Sequence, residues 1–303
     1  MAVSRRLLVL RNLGLGDFLT GIPAFRGLRR AFPEHELVLA APEALCELAM
    51  LCGAVDRVVS PPPLDRADVA VNLHGRGPES HRVVLATRPA RLIAFEHPAI
   101  PESHGLPRWR ADEHEVARWC RLLTESSIPA DPTDLRVDVE PAGIPDATVV
   151  HPGAASGSRR WPAERFAAVA RAEREAGRDV LVTGGPAEAR LARTVAEEAG
   201  LPESAVLAGT TSLADLAGVV AAAGRVVCGD TGVGHLATAV GTPSVVLFGP
   251  IPPREWGPPP DPKHRTLWAG LTGDPHAEEV HAGLLAIDVG DVLAELGRLE
   301  PAA

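Results

Sequence analysis

Lysine is almost missing from this chain: Lys263 is the only one, and every other strong base is arginine. The 30 basic residues form no cluster interleaved with aromatics, and against 39 acidic residues they leave a net charge of −9. That excludes a nucleic-acid partner and weakens any case for docking on an anionic membrane. No apolar run approaches the length of a membrane span, and residues 1–6 lead straight into an apolar strand. Neither an integral membrane segment nor a secretory leader is expected, and the chain reads as cytoplasmic. Cysteine is scarce too. Cys46, Cys52, Cys120 and Cys228 lie far apart, without zinc-type spacing and among apolar neighbours, and read as reduced, buried thiols. The dinucleotide fingerprint and the Walker A spacing are both absent, and no close Asp-x-Asp pair ends a strand. A nicotinamide dehydrogenase and a P-loop kinase therefore have no support, and neither a cofactor nor a metal site is expected.

What is present is a soluble globular composition, 46% hydrophobic and 23% charged, in 303 residues, enough for two domains. The abundance of Ala, Gly and Pro beside arginine fits a GC-rich genome. One stretch organises the rest: residues 225–250, RVVCGDTGVGHLATAVGTPSVVLFGP. Residues 226–228 form a short apolar run that suits a strand buried on both faces, and Gly229, Asp230, Thr231 and Gly232 turn the chain into a helix. Gly232 and Gly234 admit a ligand close to backbone amides, and the free N–H groups of the helix start favour an anion, above all phosphate. Asp230 or Thr231 serves equally well as a helix cap on spacing alone. Gly241 ends the helix and residues 244–248 form a second buried strand.

The remaining chain alternates strand and helix, which implies parallel, doubly wound sheets. A strand at residues 7–10 turns through Gly14 and Gly16 into a helix with Asp17 in its first turn, either a dipole-favoured carboxylate or a ligand-facing one. Strands are expected at 36–40, 58–59, 69–73 and 91–95, and an amphipathic helix at 112–126. Arg76 follows a strand end, where it either meets an acceptor or is solvated. The Pro-rich stretch 129–145 reads as a linker. A second sheet begins at 147–150, and Pro162 opens the helix behind Arg159. Gly184 and Gly185 precede a helix bearing Glu188, which either accepts bonds from ribose hydroxyls or simply starts that helix. Strands at 205–207 and 266–268 and a helix at 289–299 complete the pattern.

Four segments together resemble glycosyltransferase family 9, whose best-known members are the ADP-heptose:lipopolysaccharide heptosyltransferases. They are LLVLRNLGLGDFLTGIPAFRGLRRAFP, VVHPGAASGSRRWPAERF, CGDTGVGHLATAVGTPSVVLFGP and FGPIPPREWGPP, in the family's order over nearly the whole chain. The resemblance implies an α/β, GT-B architecture of two Rossmann-like domains with parallel sheets facing a central cleft. The division expected is 1–143 for the acceptor side, 144–285 for the nucleotide sugar, and 286–303 as a helix returning to the first domain. Asp17 matches the family's general base. Arg159 stands where the family usually has a diphosphate-binding Lys, and its planar fork changes the geometry while keeping the charge. Thr231, Gly232, Gly234 and His235 match the phosphate-binding turn, with Asp230 placed for sugar or ribose hydroxyls. The activity implied is inverting, metal-independent transfer of a sugar, a heptose in the best-known members, from an ADP-linked donor to a hydroxyl-bearing acceptor. A GT-B nucleotide-sugar epimerase or hydrolase, and a non-catalytic two-domain binding protein, are the competing readings.

Overall fold

The computed structural model describes residues 5–60 and 66–299; residues 1–4 of the N-terminal reading and 300–303 of the C-terminal one lie outside the described residues. The chain forms two compact units, one up to Val137 and one from Asp138. The first contains β1 (Arg6–Leu10), α1 (Leu15–Ala31), β2 (Glu36–Ala40), α2 (Cys46–Leu51), β3 (Arg57–Val59), β4 (Val69–Asn72), α3 (Glu79–Leu85), β5 (Arg91–Ile93) and α4 (Glu115–Glu125). Its sheet runs β3-β2-β1-β4-β5, parallel throughout. Leu7 to Leu10 and Leu37 to Ala40 are buried on both faces, as parallel strands between helices require. Leu8, Leu10, Val38, Ala40, Ala70 and Val84 pack together, while Phe18 and Phe25 of α1 stack at 5.7 Å. Strand order reverses between β1 and β4, so a crevice opens beyond their carboxyl ends.

The second unit contains β6 (Thr148–His151), α5 (Ala163–Glu175), β7 (Val180–Val182), α6 (Ala189–Ala199), α7 (Leu213–Ala222), β8 (Arg225–Gly229), α8 (Gly232–Val240), β9 (Ser244–Phe248), α9 (Pro253–Trp256), β10 (His264–Trp268), α10 (Ala282–Leu285) and α11 (Val289–Leu296). Its parallel sheet runs β10-β9-β8-β6-β7, reversing between β6 and β8. Val150, Phe166, Val182, Val195, Val227, Val245 and Leu247 centre a core that also takes in Val292 and Leu296. The α/β, GT-B class expected from the sequence is borne out by these two Rossmann-like units.

Several expectations change. Residues 286–303 were expected as a helix returning to the first domain; of these, α11 packs its apolar stripe on α5, β9 and β10. Residues 205–207 make a single bridge, Val182 to Val206, because the turn over Glu203–Ala205 occupies the strand's start. The units divide six residues before the expected boundary. The Ala142 N–H donates to the Gly218 carbonyl on α7 at 2.9 Å, while Arg26 of α1 holds the Arg136 carbonyl at 2.6 Å, so the Pro-rich stretch is tied down on both sides. All four cysteines are free thiols; Cys46 is half-buried, the others buried. Burial pushes the Cys120 thiol up to about 12. Among the described residues no helix is long and apolar enough to cross a membrane.

Candidate functional site

In the first unit, chemistry collects where strand order reverses. β1 ends at Leu10 and the next residue, Arg11, is buried, with its guanidinium under α1. Gly21 makes that possible, since a Cβ there would stand 3.0 Å from the Arg11 Cδ. Arg11 Nη1 donates to the Leu73 carbonyl, Nε to the Asp17 carbonyl, and Nη2 to Thr20 Oγ1 at 3.0 Å and Glu115 Oε1 at 3.1 Å. Asp17, in the first turn of α1, keeps its Oδ1 3.7 Å from Arg11 Nη2, within ion-pair range but beyond a hydrogen bond. Burial raises the Asp17 carboxyl above its usual range; Arg11 opposes this, Glu115 adds to it, and the Gly14 and Asp17 N–H groups oppose it. The carboxylate is therefore a helix-start acceptor and also a strengthened base.

The loop after β4 stands across the same reversal. Buried His81 meets the Phe95 carbonyl through Nε2 at 2.7 Å, and its Nδ1 meets Asn72 Nδ2 at 3.1 Å. Since a carbonyl only accepts, Nε2 carries the ring's hydrogen, and Nδ1 accepts from Asn72. Asn72 Oδ1 in turn accepts the His74 N–H at 3.1 Å, which fixes the loop. His74, Arg76, Asn12, Glu79 and Ser80 line a cavity of about 420 Å³. Burial holds His74 below its ordinary range, Arg11 lowers it further, and Asp17 opposes both. Arg76 lies exposed at this cavity.

In the second unit β6 and β8 flank the reversal, and the two loops that follow them meet. Arg159, in the turn Gly157–Arg159, places Nη2 2.9 Å from Asp230 Oδ2. Asp230 is 4% exposed; burial raises its carboxyl and Arg159 pulls it back. Thr231 is the N-cap of α8, with an extended backbone and no side-chain cap bond; the Gly234 N–H donates to the Thr231 carbonyl at 3.0 Å. A pocket lined by Asp230, Thr231, Gly234, His235, Val246, Phe248, Trp256 and Pro258 adjoins them. The His235 and Trp256 rings meet edge-on at 5.8 Å. Gly234 packs tightly, its Cβ position lying 3.2 Å from Val246.

A third cluster follows β7. The Gly185 N–H donates to Glu188 Oε2 at 2.7 Å, and Gly184 lies against the same side chain. His151, at the end of β6, lies 3.0 Å from Thr183 Oγ1 through Nδ1 and 3.9 Å from Glu188 through Nε2. Burial lowers the His151 ring, with Glu188 opposing.

The structure thus gathers Arg159, Asp230, Thr231, Gly232, Gly234 and His235 at one place. Gly184, Gly185 and Glu188 form their own cluster, and Asp17 and Arg76 belong to the first unit. Sequence reasoning passed over Arg11, Glu115, His74, His151 and Trp256. Arg11, a charge directly behind four buried apolar residues, was the one available signal; Glu115 lies 104 positions from it and gave none.

The profile of the family described as Glycosyltransferase family 9 (heptosyltransferase) matches residues 108–281. Lipopolysaccharide heptosyltransferase 1 of Pseudomonas aeruginosa is 27% identical, over 92% of this chain and 83% of that protein. Lipopolysaccharide heptosyltransferase 2 of Escherichia coli is 30% identical over 49% of this chain and 45% of its own. Among solved structures, the E. coli ADP-heptose lipopolysaccharide heptosyltransferase II superposes with a TM-score of 0.79 at 21% identity, over 96% of this chain and 97% of that one. The E. coli heptosyltransferase WaaC with ADP gives 0.73 at 18%, over 96% and 99%. The profile spans over half of the chain, and the fold is shared along nearly all of it: the chain belongs to glycosyltransferase family 9, the heptosyltransferases.

Proposed function

We propose that this enzyme transfers a heptose from an ADP-linked donor to an acceptor hydroxyl, with inversion and without a metal ion, in the cytoplasm. The observation that carries the reading is the position of its polar groups. Asp17 follows the strand beside the order reversal of one sheet, and Arg159 and Asp230 follow the two strands flanking the reversal of the other. Inverting transfer needs a base for the acceptor and positive potential for the leaving group. The acceptor oxygen attacks the anomeric carbon while its proton passes to the Asp17 carboxylate. On the opposite face the bond to the diphosphate breaks, and its electron pair goes to the β-phosphate oxygen. Arg159 and the amides at the start of α8 receive that charge. Arg159 Nε is buried with no partner among the described residues, so the guanidinium keeps a donor beyond its Asp230 contact. Glu188, near His151, is assigned to the ribose hydroxyls, and Arg76 to the acceptor. The acceptor role of the first unit and the donor role of the second belong to the same proposal.

The relatives' names put lipopolysaccharide core first among acceptors to assay. Asp17→Asn is expected to lower transfer by about 10²–10⁴-fold while leaving ADP affinity nearly unchanged, because the carboxylate and the diphosphate contacts lie on different units. Retention of most activity in that variant would return Asp17 to a helix-start role. Arg159→Ala is expected to weaken ADP by about 1.5–3 kcal/mol. Calorimetric titration of ADP should give the same affinity with and without EDTA, and a loss in EDTA removes metal independence.

A further inference from the structure

Arg11 stands between two carboxylates, and four of its five N–H hydrogens have acceptors. Nε and Nη1 serve the Asp17 and Leu73 carbonyls, and the two hydrogens of Nη2 go to Thr20 and Glu115. Nη2, the nitrogen facing the Asp17 carboxylate at 3.7 Å, therefore has no hydrogen left for it. Glu115, 5% exposed at the start of α4, also accepts from Trp119 Nε1 at 2.7 Å and pairs with Arg118. We propose that Glu115 is a positioning residue for Asp17: by engaging the buried Arg11 guanidinium it keeps that cation from closing on the catalytic carboxylate. The proposal rests on the reading of Asp17 as general base.

The physical argument is one of competition. A guanidinium hydrogen-bonded to a carboxylate lowers its basicity and fixes its oxygens, and both effects oppose proton abstraction. With Glu115 holding one Nη2 hydrogen, Asp17 faces Arg11 through charge alone. His74 also faces Asp17, its ring held below the ordinary range by burial and Arg11, while Arg118, on the far side of Glu115, is committed to that carboxylate and to the Trp109 face at 4.5 Å. Loss of the Glu115 charge turns a charge-assisted bond to that Nη2 hydrogen into a weaker neutral one, and the carboxylate left beside Nη2 is that of Asp17.

The test reads Asp17 directly. In protein labelled with ¹³C at the aspartate Cγ, the Asp17 resonance is the one missing from Asp17→Asn, and its titration is followed in wild type, Glu115→Gln and Glu115→Asp. Glu115→Gln keeps an oxygen for Arg11 but not the charge, and should move the Asp17 midpoint downward by about 1 pH unit. Glu115→Asp keeps the charge and should leave the midpoint within a few tenths of a unit of wild type. A purely structural Glu115 would lower the melting temperature without moving the midpoint, and an unmoved midpoint in Glu115→Gln overturns the proposal. Where Glu115→Gln fails to fold, Glu115→Gln with Arg118→Gln removes the buried charges as a pair, and the same downward shift is required of it. Failure of the general-base reading appears instead as retained transfer in Asp17→Asn, so the two failures are told apart.

Discussion

Asp17 carries two demands that conflict, and the conflict is measurable. Its carboxyl, ordinarily near 3.8, is raised mainly by burial. As pH rises through the window above 3.8, the unfolded chain has already lost this proton while the folded one still holds it, so stability falls across that window. Asp17→Asn should therefore melt higher than wild type at pH 7, and the gain should vanish as the pH drops below the ordinary carboxylate value. A lower melting temperature at pH 7 would show that the carboxylate's backbone bonds outweigh its desolvation. At this scale Asp17, Arg159 and Asp230 were legible through the motif segments that resemble the family, since position alone left Asp17 and Asp230 equally readable as helix-start residues. The pairing of Arg11 with Glu115 was not, since it joins the residue after β1 to a helix that begins more than a hundred positions later. His151 and Glu188 were separated in the same way, by the whole of α5 and β7.

Among the elements, the turn Gly157–Arg159 is the most constrained. A Cβ at Gly157 would stand 1.6 Å from the Glu278 carbonyl oxygen, a backbone atom that cannot swing aside. Gly157→Ala must therefore displace the segment presenting Arg159, and ADP affinity should fall about tenfold, roughly 1.4 kcal/mol, by calorimetry. Gly241 gives the contrast. It ends α8 at φ +83°, where a side chain is strained, so Gly241→Ala should cost about 1 kcal/mol of stability and leave ADP binding within twofold. The long elements of both sheets were readable because buried parallel strands are continuous apolar runs. The helices α3, α9 and α10 were not, because a segment of four to seven residues is too short to show a helical stripe. α11 shows a different limit: its apolar face was evident, but periodicity does not say which core will take it.

For the whole molecule, the consequential fact is that the second unit closes a core from its own residues, from Val150 to Leu299. A fragment of residues 138–303 should then fold by itself with a cooperative thermal transition and bind ADP within about tenfold of the full chain. A fragment that stays unfolded, or that folds and ignores ADP, would show that the donor site needs the first unit. The GT-B architecture with its parallel sheets was legible from strand and helix alternation together with four motif segments; the strand order of each sheet was not. The division between the units was less so, because a Pro-rich stretch that reads as free linker is tied to α1 at one end and to α7 at the other.

The ion pair of Arg159 with Asp230 bears on turnover. On the proposed reading, the guanidinium that receives the diphosphate is held beforehand by a carboxylate of the same chain, 2.9 Å away and never diluted. Asp230 then acts as a resident competitor of the product, reclaiming Arg159 as ADP departs and limiting product inhibition. The same competition handicaps weaker anions such as inorganic phosphate. Asp230→Asn should accordingly bind ADP more tightly and release it more slowly, so that the empty site's own counter-ion sets the speed at which the enzyme becomes ready for its next donor.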